Sequence, residues 1–503
     1  MPHLRRSSPP VLAALSLLAG LAFWGAPPAR AVEMLGLRLA LLGEIITARV
    51  SELSSPEALW AGDSDLAELN RATDGRIAAA VLELSKQPLP ALDYQSSVMV
   101  QQVEVLLSQL IETDGRLDSE RKDPRVQKLP MAEAVQRLRK AGREVTLLNV
   151  LGEIPGRKVI VRLDRALPQL RALKREQIET DRLLASFPLL PAATVADLKP
   201  GPFSIQTTES RISNPASGDT LAVTVVRPTA APTLPPVVIS HGLWDSPTSF
   251  LGWAQHLASH GAAVFLPRHP GSDISQQAEM LAGKVPPPDP KEFLRRPADV
   301  RAVLDALAAG TLAGGEGIQP RDLVMIGHSW GGTTALQLAG ARSLPGPLWK
   351  DCSKADNPQR NISWVLQCSF LPAASPDSQA DPRIARAVAV SPPQGLVFEL
   401  GIADLQTPVL LVSGSHDFVV PTEPEALVPF ALYPASRSPL SSGLVVAEGG
   451  THFNLPAAAD SDGGPLRALL LRWVRGQGVA PGTGLGDPAG LPLRLVPQTS
   501  QRP

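Results

Sequence analysis

From about residue 203, short apolar runs recur along the chain: "LAVTVVRP", "PPVVIS", "AAVFLP", "DLVMIG", "ARAVAVS" and "TPVLLVSG". Each reads as a short strand. Between several of them lie helical patterns such as "FLGWAQHLASHG" and "RRPADVRAVLDALAAG". Strands that alternate with helices predict an α/β fold: a mostly parallel sheet covered by helices on both faces. The spacing assigns this domain to residues 203–478. The Gly- and Pro-rich residues 479–503 read as a flexible tail.

A chain of 503 residues is long for one domain and suggests two or three. Residues 32–195 read as a separate, mainly helical domain. "VMVQQVEVLLSQLIETDGRL" (98–117) and "MAEAVQRLRKAG" place apolar residues at helical spacing. "LGLRLALLG" and "KVIVRLD" read as two short strands in the same region. No catalytic spacing is found there, and the region reads as a packing or partner-binding domain whose partner the sequence does not name. "LKREQIETDRLLASF" reads as a charged helix that leads into a linker near Pro191 to Pro202.

The N-terminus has the pattern of an export signal. Arg5 and Arg6 are followed by an apolar stretch, Val11 to Trp24, and by "PPARA" with small residues at Ala29 and Ala31. Residues 1–31 are expected to be removed, leaving an exported protein, periplasmic or secreted, with no stable membrane span. The alternative is an uncleaved anchor, although the apolar run is shorter than the ~20 residues a bilayer requires. The formal net charge is −1 and no long basic block occurs, so a nucleic-acid partner is disfavoured. The two cysteines, Cys352 and Cys368, lie in "DCSKADNPQRNISWVLQC". In an exported chain they are expected to form a disulfide; two free thiols are the alternative. No zinc or redox cysteine spacing is present, and no cofactor or metal is expected.

One of the strand runs continues into "LVMIGHSWGGTTALQLAG" (323–340). Ser329 falls on a strand-to-helix turn tight enough to need Gly327 before it and Gly331 and Gly332 after it. This context makes a Gly-x-Ser-x-Gly match informative, because such a turn exposes the serine and aims the Trp330 N–H at whatever bonds to it. In this arrangement the acid and then the histidine follow the serine. Two histidines do so, His416 and His452. His452 lies in the glycine-rich loop "AEGGTHFNLP" after a strand-like run and is the expected base. Asp417, just past "PVLLVSG", is the expected acid. Asp381 and Asp404 precede their strands and would lie at the wrong end of the sheet. Glu423 is a weaker rival, and His416 reads as a loop residue. "PPVVISHGLWDSP" supplies a turn at Gly242, where the N–H of Leu243 would join that of Trp330 as an oxyanion hole.

"ISHGLWDSPTSF", "HLASHGAAVFLPRHPGSD" and "GHSWGG" make residues 205–475 resemble an α/β-hydrolase. More narrowly, they resemble platelet-activating-factor acetylhydrolases and bacterial proteins labelled dienelactone hydrolases. The resemblance implies an acyl-ester hydrolase acting on small-molecule or lipid esters, with Ser329, Asp417 and His452 as triad and Leu243 and Trp330 as oxyanion donors. True dienelactone hydrolases use a cysteine where this chain has Ser329, so that substrate does not carry over. The N-terminal region resembles an uncharacterised domain that precedes such hydrolases in cyanobacterial proteins. His269, in "RHPGSD", reads either as a pocket residue or as an ordinary loop residue. Residues 341–380 interrupt the strand–helix rhythm and read as a lid. Two further readings stay open: a serine peptidase of the same fold and a binding protein without activity.

Overall fold

The computed structural model describes residues 32–38, 45–75, 98–99, 101–102, 111–113, 131–154, 156–281, 284–354, 360–434 and 440–497. The export signal expected at 1–31 lies outside them. Chain contacts divide the protein into two units; the first comprises residues 1–89, 110–124 and 129–164, and the second takes the rest.

The first unit holds four strands: β1 (Met34–Arg38), β2 (Ile45–Arg49), β3 (Ile111–Thr113) and β4 (Lys158–Arg162). They lie in the order β2-β1-β4-β3. β1 runs parallel to β4, with Leu35 opposite Val159, and antiparallel to β2. Leu53, Leu59, Leu66 and Ala67 build a small core beside β2, and Leu151, Ile154 and Val159 build another. The helices Pro56–Ala61 and Asp65–Ala72 start where the Ser55 and Ser64 hydroxyls accept the N–H groups of Ala58 and Ala67. The two expected strands are present here, and two more join them. Ile111–Thr113 departs from the expected helix over 98–117: Ile111, Glu112 and Thr113 pair antiparallel with Val161, Ile160 and Val159. The unit boundary at Asp164 falls inside the helix Leu163–Ala185, not near residue 195.

The second unit is built on nine strands: β5 (Ile205–Ser213), β6 (Thr220–Pro228), β7 (Val237–Ser240), β8 (Val264–Pro267), β9 (Leu323–His328), β10 (Ile384–Val390), β11 (Val409–Gly414), β12 (Gly443–Ala447) and β13 (Leu493–Val496). Their order is β13-β12-β11-β10-β9-β7-β8-β6-β5. The stretch from β12 to β8 is parallel, and β13, β6 and β5 join antiparallel. Both faces of the central strands are buried because successive side chains alternate. Val238, Phe265, Met325, Ala387 and Leu411 pack on one face with the helices Glu292–Ala308 and Trp330–Leu338. Val237, Ile239, Ile326, Val388 and Leu410 pack on the other with Leu251–Ser259 and Arg467–Val474.

The tail differs from expectation. Within residues 479–503, Leu493–Val496 is an edge strand antiparallel to β12, with Leu493 and Leu495 buried. The alternation in "LRLV" puts both leucines on one sheet face, and burying them outweighs the looseness of the Gly/Pro-rich surroundings. Residues 341–380 are also packed. The turn Pro347–Ser353 and the helix Ile362–Phe370 are joined by a Cys352–Cys368 disulfide, which sits with Trp364 against Leu396. Gln367 Oε1 accepts the N–H groups of Leu396 and Val397, at 2.8 and 2.9 Å. The buried Glu425 accepts from Ser363, Gln367, Gln394 and Gly395.

Candidate active site

Parallel strands end on the same side of a sheet, and loops leaving adjacent strands meet there. Ser329 follows β9, Asp417 follows β11 and His452 follows β12. Ser329 has φ 52° and ψ −124°, a conformation that costs an L-residue about 1–3 kcal/mol and that the surrounding structure must impose. Its N–H donates to Val390 O on β10 at 2.8 Å, and its C=O accepts the Thr333 N–H at 3.1 Å. The turn closes only because Gly327 and Gly331 lack side chains: a Cβ on Gly327 would strike Gly331 O, and one on Gly331 would strike Ser240 O.

Asp417 is buried, with its carboxylate fully committed. Oδ1 accepts the N–H groups of Val419 and Val420 at 2.9 and 2.8 Å, and Oδ2 faces His452 Nδ1 at 2.8 Å. This fixes the imidazole with Nδ1 protonated and leaves Nε2 for chemistry. Sequence reasoning did not include His328, which adds a second tie. Its Nε2–H donates to the backbone oxygen of His452 at 3.0 Å, and the two rings lie 4.7 Å apart. Burial depresses the His328 pKa well below the ordinary value, so this ring is a neutral spacer. Among the described residues no hydrogen bond joins Ser329 Oγ to His452 Nε2; such bonds often tighten only when substrate binds.

The loop after β7 brings Gly242 against the elbow, where a Cβ on it would lie 3.2 Å from Ser329 Cβ. The N–H groups of Leu243 and Trp330 donate to no acceptor among the described residues. Behind this loop lies a buried polar cluster that the sequence did not reveal. Arg296, fully buried, donates to His241 O at 2.6 Å, Gly242 O at 3.1 Å, Ser272 Oγ at 2.9 Å and Ser272 O at 3.2 Å. Burial lowers its pKa to about 10, which still leaves it charged at neutral pH. Pulling the His241 and Gly242 carbonyls back toward the guanidinium fixes the peptide planes of the loop that carries Leu243. His241 Nε2 accepts the His269 N–H at 3.1 Å, so its Nδ1 carries the proton and donates to Gly242 O at 2.7 Å.

His269 lines no open pocket. It is fully buried between Ser240 Oγ at 2.9 Å and Asp299 Oδ2 at 2.8 Å. Burial pushes Asp299 up to about 7 and His269 well down, so the pair shares one proton in a hydrogen bond and is not an ion pair. His416 turns outward, with Nε2 3.1 Å from Asp181 on the helix Leu163–Ala185. Asp381 pairs with Arg383, and Asp404 with Arg342. Glu423 opens the turn Glu423–Leu427.

Two other features surround the site. The Trp330 ring, buried, lies 4.4 Å from Phe370 and 5.9 Å from Phe293. Phe453 lies edge-on to His452, with ring centroids 5.4 Å apart. Among the described residues, no group of three or more His, Cys, Asp or Glu is placed to hold a metal ion, and no helix is long and apolar enough to cross a membrane.

Comparison with known proteins agrees with this geometry at the level of fold. No curated protein matches the chain. The family model described as "alpha/beta hydrolase fold" matches residues 235–348, the stretch that runs from β7 through the elbow helix. The second unit, a mostly parallel nine-stranded sheet flanked by helices, has the α/β-hydrolase fold, and that fold supports a hydrolase in general.

Proposed function

We propose that the protein is a serine hydrolase of carboxylic esters. The observation that carries this reading is the Asp417–His452 hydrogen bond of 2.8 Å at the sheet edge where Ser329 stands on its strained turn. His452 Nε2 takes the Ser329 proton as Oγ attacks the ester carbonyl. The N–H groups of Leu243 and Trp330 receive the developing oxyanion. His452 returns the proton to the departing alcohol, and water then releases the acid by the same route. Asp417 holds the ring through Nδ1 and stabilises the imidazolium.

The acyl group is proposed to be short. The side chain that follows the nucleophile, Trp330, is already packed against Phe293 and Phe370, and Phe370 belongs to the disulfide-bearing segment 341–380. That segment is proposed to wall the acyl side, so it acts as a fixed lid. Hydrolysis of p-nitrophenyl esters from acetyl to palmitoyl, compared with Ser329→Ala, tests both points. Activity confined to short chains and abolished in the variant is expected. A folded protein that cleaves no ester, or a Ser329→Ala variant as active as wild type, refutes the reading.

A further inference from the structure

We propose that Phe418 and Phe453 form an aromatic clamp for the alcohol half of the ester, so that the site selects esters of apolar alcohols. This rests on the serine-hydrolase reading. Each ring directly follows a member of the triad: Phe418 follows Asp417, and Phe453 follows His452. Their centroids lie 6.3 Å apart with the rings tilted by 55°. Both are exposed, Phe453 at 70% and Phe418 at 45%, while their triad neighbours are buried.

Reaction geometry says which half of the substrate meets them. When the tetrahedral intermediate collapses, the bond from the carbonyl carbon to the alcohol oxygen breaks. Its electron pair stays on that oxygen, which takes the proton from His452. Nδ1 is committed to Asp417 at 2.8 Å, so the proton comes from Nε2. The alcohol oxygen must then sit within about 3 Å of that nitrogen. Whatever the oxygen carries lies beside the imidazole, and the ring that stands edge-on to the imidazole is Phe453, 5.4 Å away. The carbonyl oxygen is turned instead toward the N–H groups of Leu243 and Trp330. Two adjacent exposed rings lose apolar area from water when a flat or alkyl group fills the space beside them, and a charged alcohol gains nothing there.

The test compares 1-naphthyl acetate, hexyl acetate and methyl acetate in the full chain, in Phe418→Ala, Phe453→Ala and the double variant. Both rings are exposed, so these variants should fold, and urea midpoints check that they do. Covering half of each exposed ring predicts about a tenfold fall per ring in the kcat/KM ratio of naphthyl to methyl ester, carried mostly by KM. Calorimetry with 1-naphthol, which needs no turnover, should show the same loss of affinity. Equal naphthol affinity and equal selectivity in wild type and double variant overturn the clamp even if Ser329-dependent ester cleavage is intact. Cleavage of no ester by wild type overturns the parent reading instead, and naphthol bound through these rings would then define an aromatic site on a non-esterase. Unchanged selectivity with lost adsorption to phosphatidylcholine vesicles would also refute the clamp and make the rings a membrane contact.

Discussion

Replacing Arg296 tests whether the loop that carries the proposed oxyanion donor Leu243 is held from behind. Its guanidinium makes four hydrogen bonds in a site with no solvent exposure, two of them to the carbonyls of His241 and Gly242. Arg296→Met leaves the His241 carbonyl without this donor, takes one of two donors from the Gly242 carbonyl, and removes one of the two guanidinium charges beside the buried Glu292, which keeps Arg295 at 3.1 Å. Removing one partner of such a buried set costs about 3–5 kcal/mol of stability. Arg296→Lys is the sharper perturbation. It keeps the charge near Glu292, but a single ammonium cannot span both carbonyls and Ser272 as a planar fork does. The peptide that presents the Leu243 N–H is then free to tilt. Loss of one oxyanion donor costs about 2.7–4 kcal/mol of transition-state stabilisation, a fall of about 100- to 1,000-fold in kcat. Partial tilting should give about 10- to 100-fold, with KM little changed, because the donor acts mainly on the transition state. The assay is p-nitrophenyl acetate turnover beside urea unfolding. If Arg296→Lys turns over at the wild-type kcat, the guanidinium does not position the loop.

Other outcomes follow from the same geometry. Asp417→Asn should leave the fold intact and lower kcat by about 10,000-fold, because the amide no longer fixes the productive His452 tautomer; steady-state kinetics with circular dichroism check this. Replacing Cys352 and Cys368 together by alanine frees a link across 16 residues of sequence and should cost about 3 kcal/mol, read from urea midpoints with and without reductant. Burial pushes the His256 pKa down to about 4. The unfolded chain, with its histidine near the ordinary 6.5, therefore takes up that proton first. Stability is full above about pH 6.5 and falls by up to about 3 kcal/mol as pH drops toward 4, and His256→Gln should flatten that part of the curve. Asp299 has the opposite sign. Its pKa, raised to about 7, makes its contribution favourable in acid and weaker as pH rises from about 3.8 to 7, which Asp299→Asn should remove.

The strand–helix alternation made the second unit's sheet readable because buried parallel strands are continuously apolar, and each of the six runs first identified as strands is one. The placement of the proposed site was readable for a related reason: a turn as tight as that at Ser329 needs glycines at fixed offsets, and Asp417 and His452 lie on loops that follow strands. Arg296 was not readable. Nothing in "RRPADVR" marks which arginine turns inward, since that depends on a loop more than 50 residues away in sequence. His328 escaped notice because its partner is a backbone oxygen 124 residues on. Ile111–Thr113 sits in a run with helical periodicity, and pairing with β4 overrides that local preference. In the tail, strand character was hidden by surrounding glycine and proline.

The late strand β13 has a consequence for how the molecule behaves in company. It lies along β12, the strand that leads into the His452 loop, and covers a backbone edge that would otherwise offer itself to other chains. Its own outer side is met by Pro188 to Leu190: the Leu190 N–H donates to Leu493 O at 2.8 Å, and the Leu495 N–H to Pro188 O at 3.0 Å. Pro188 and Pro191 bracket that contact and have no N–H to extend the ladder further. The sheet therefore stops growing by its own chemistry. A chain clipped before Leu493 would carry an open, hydrophobic edge and would be expected to self-associate before it lost its elbow.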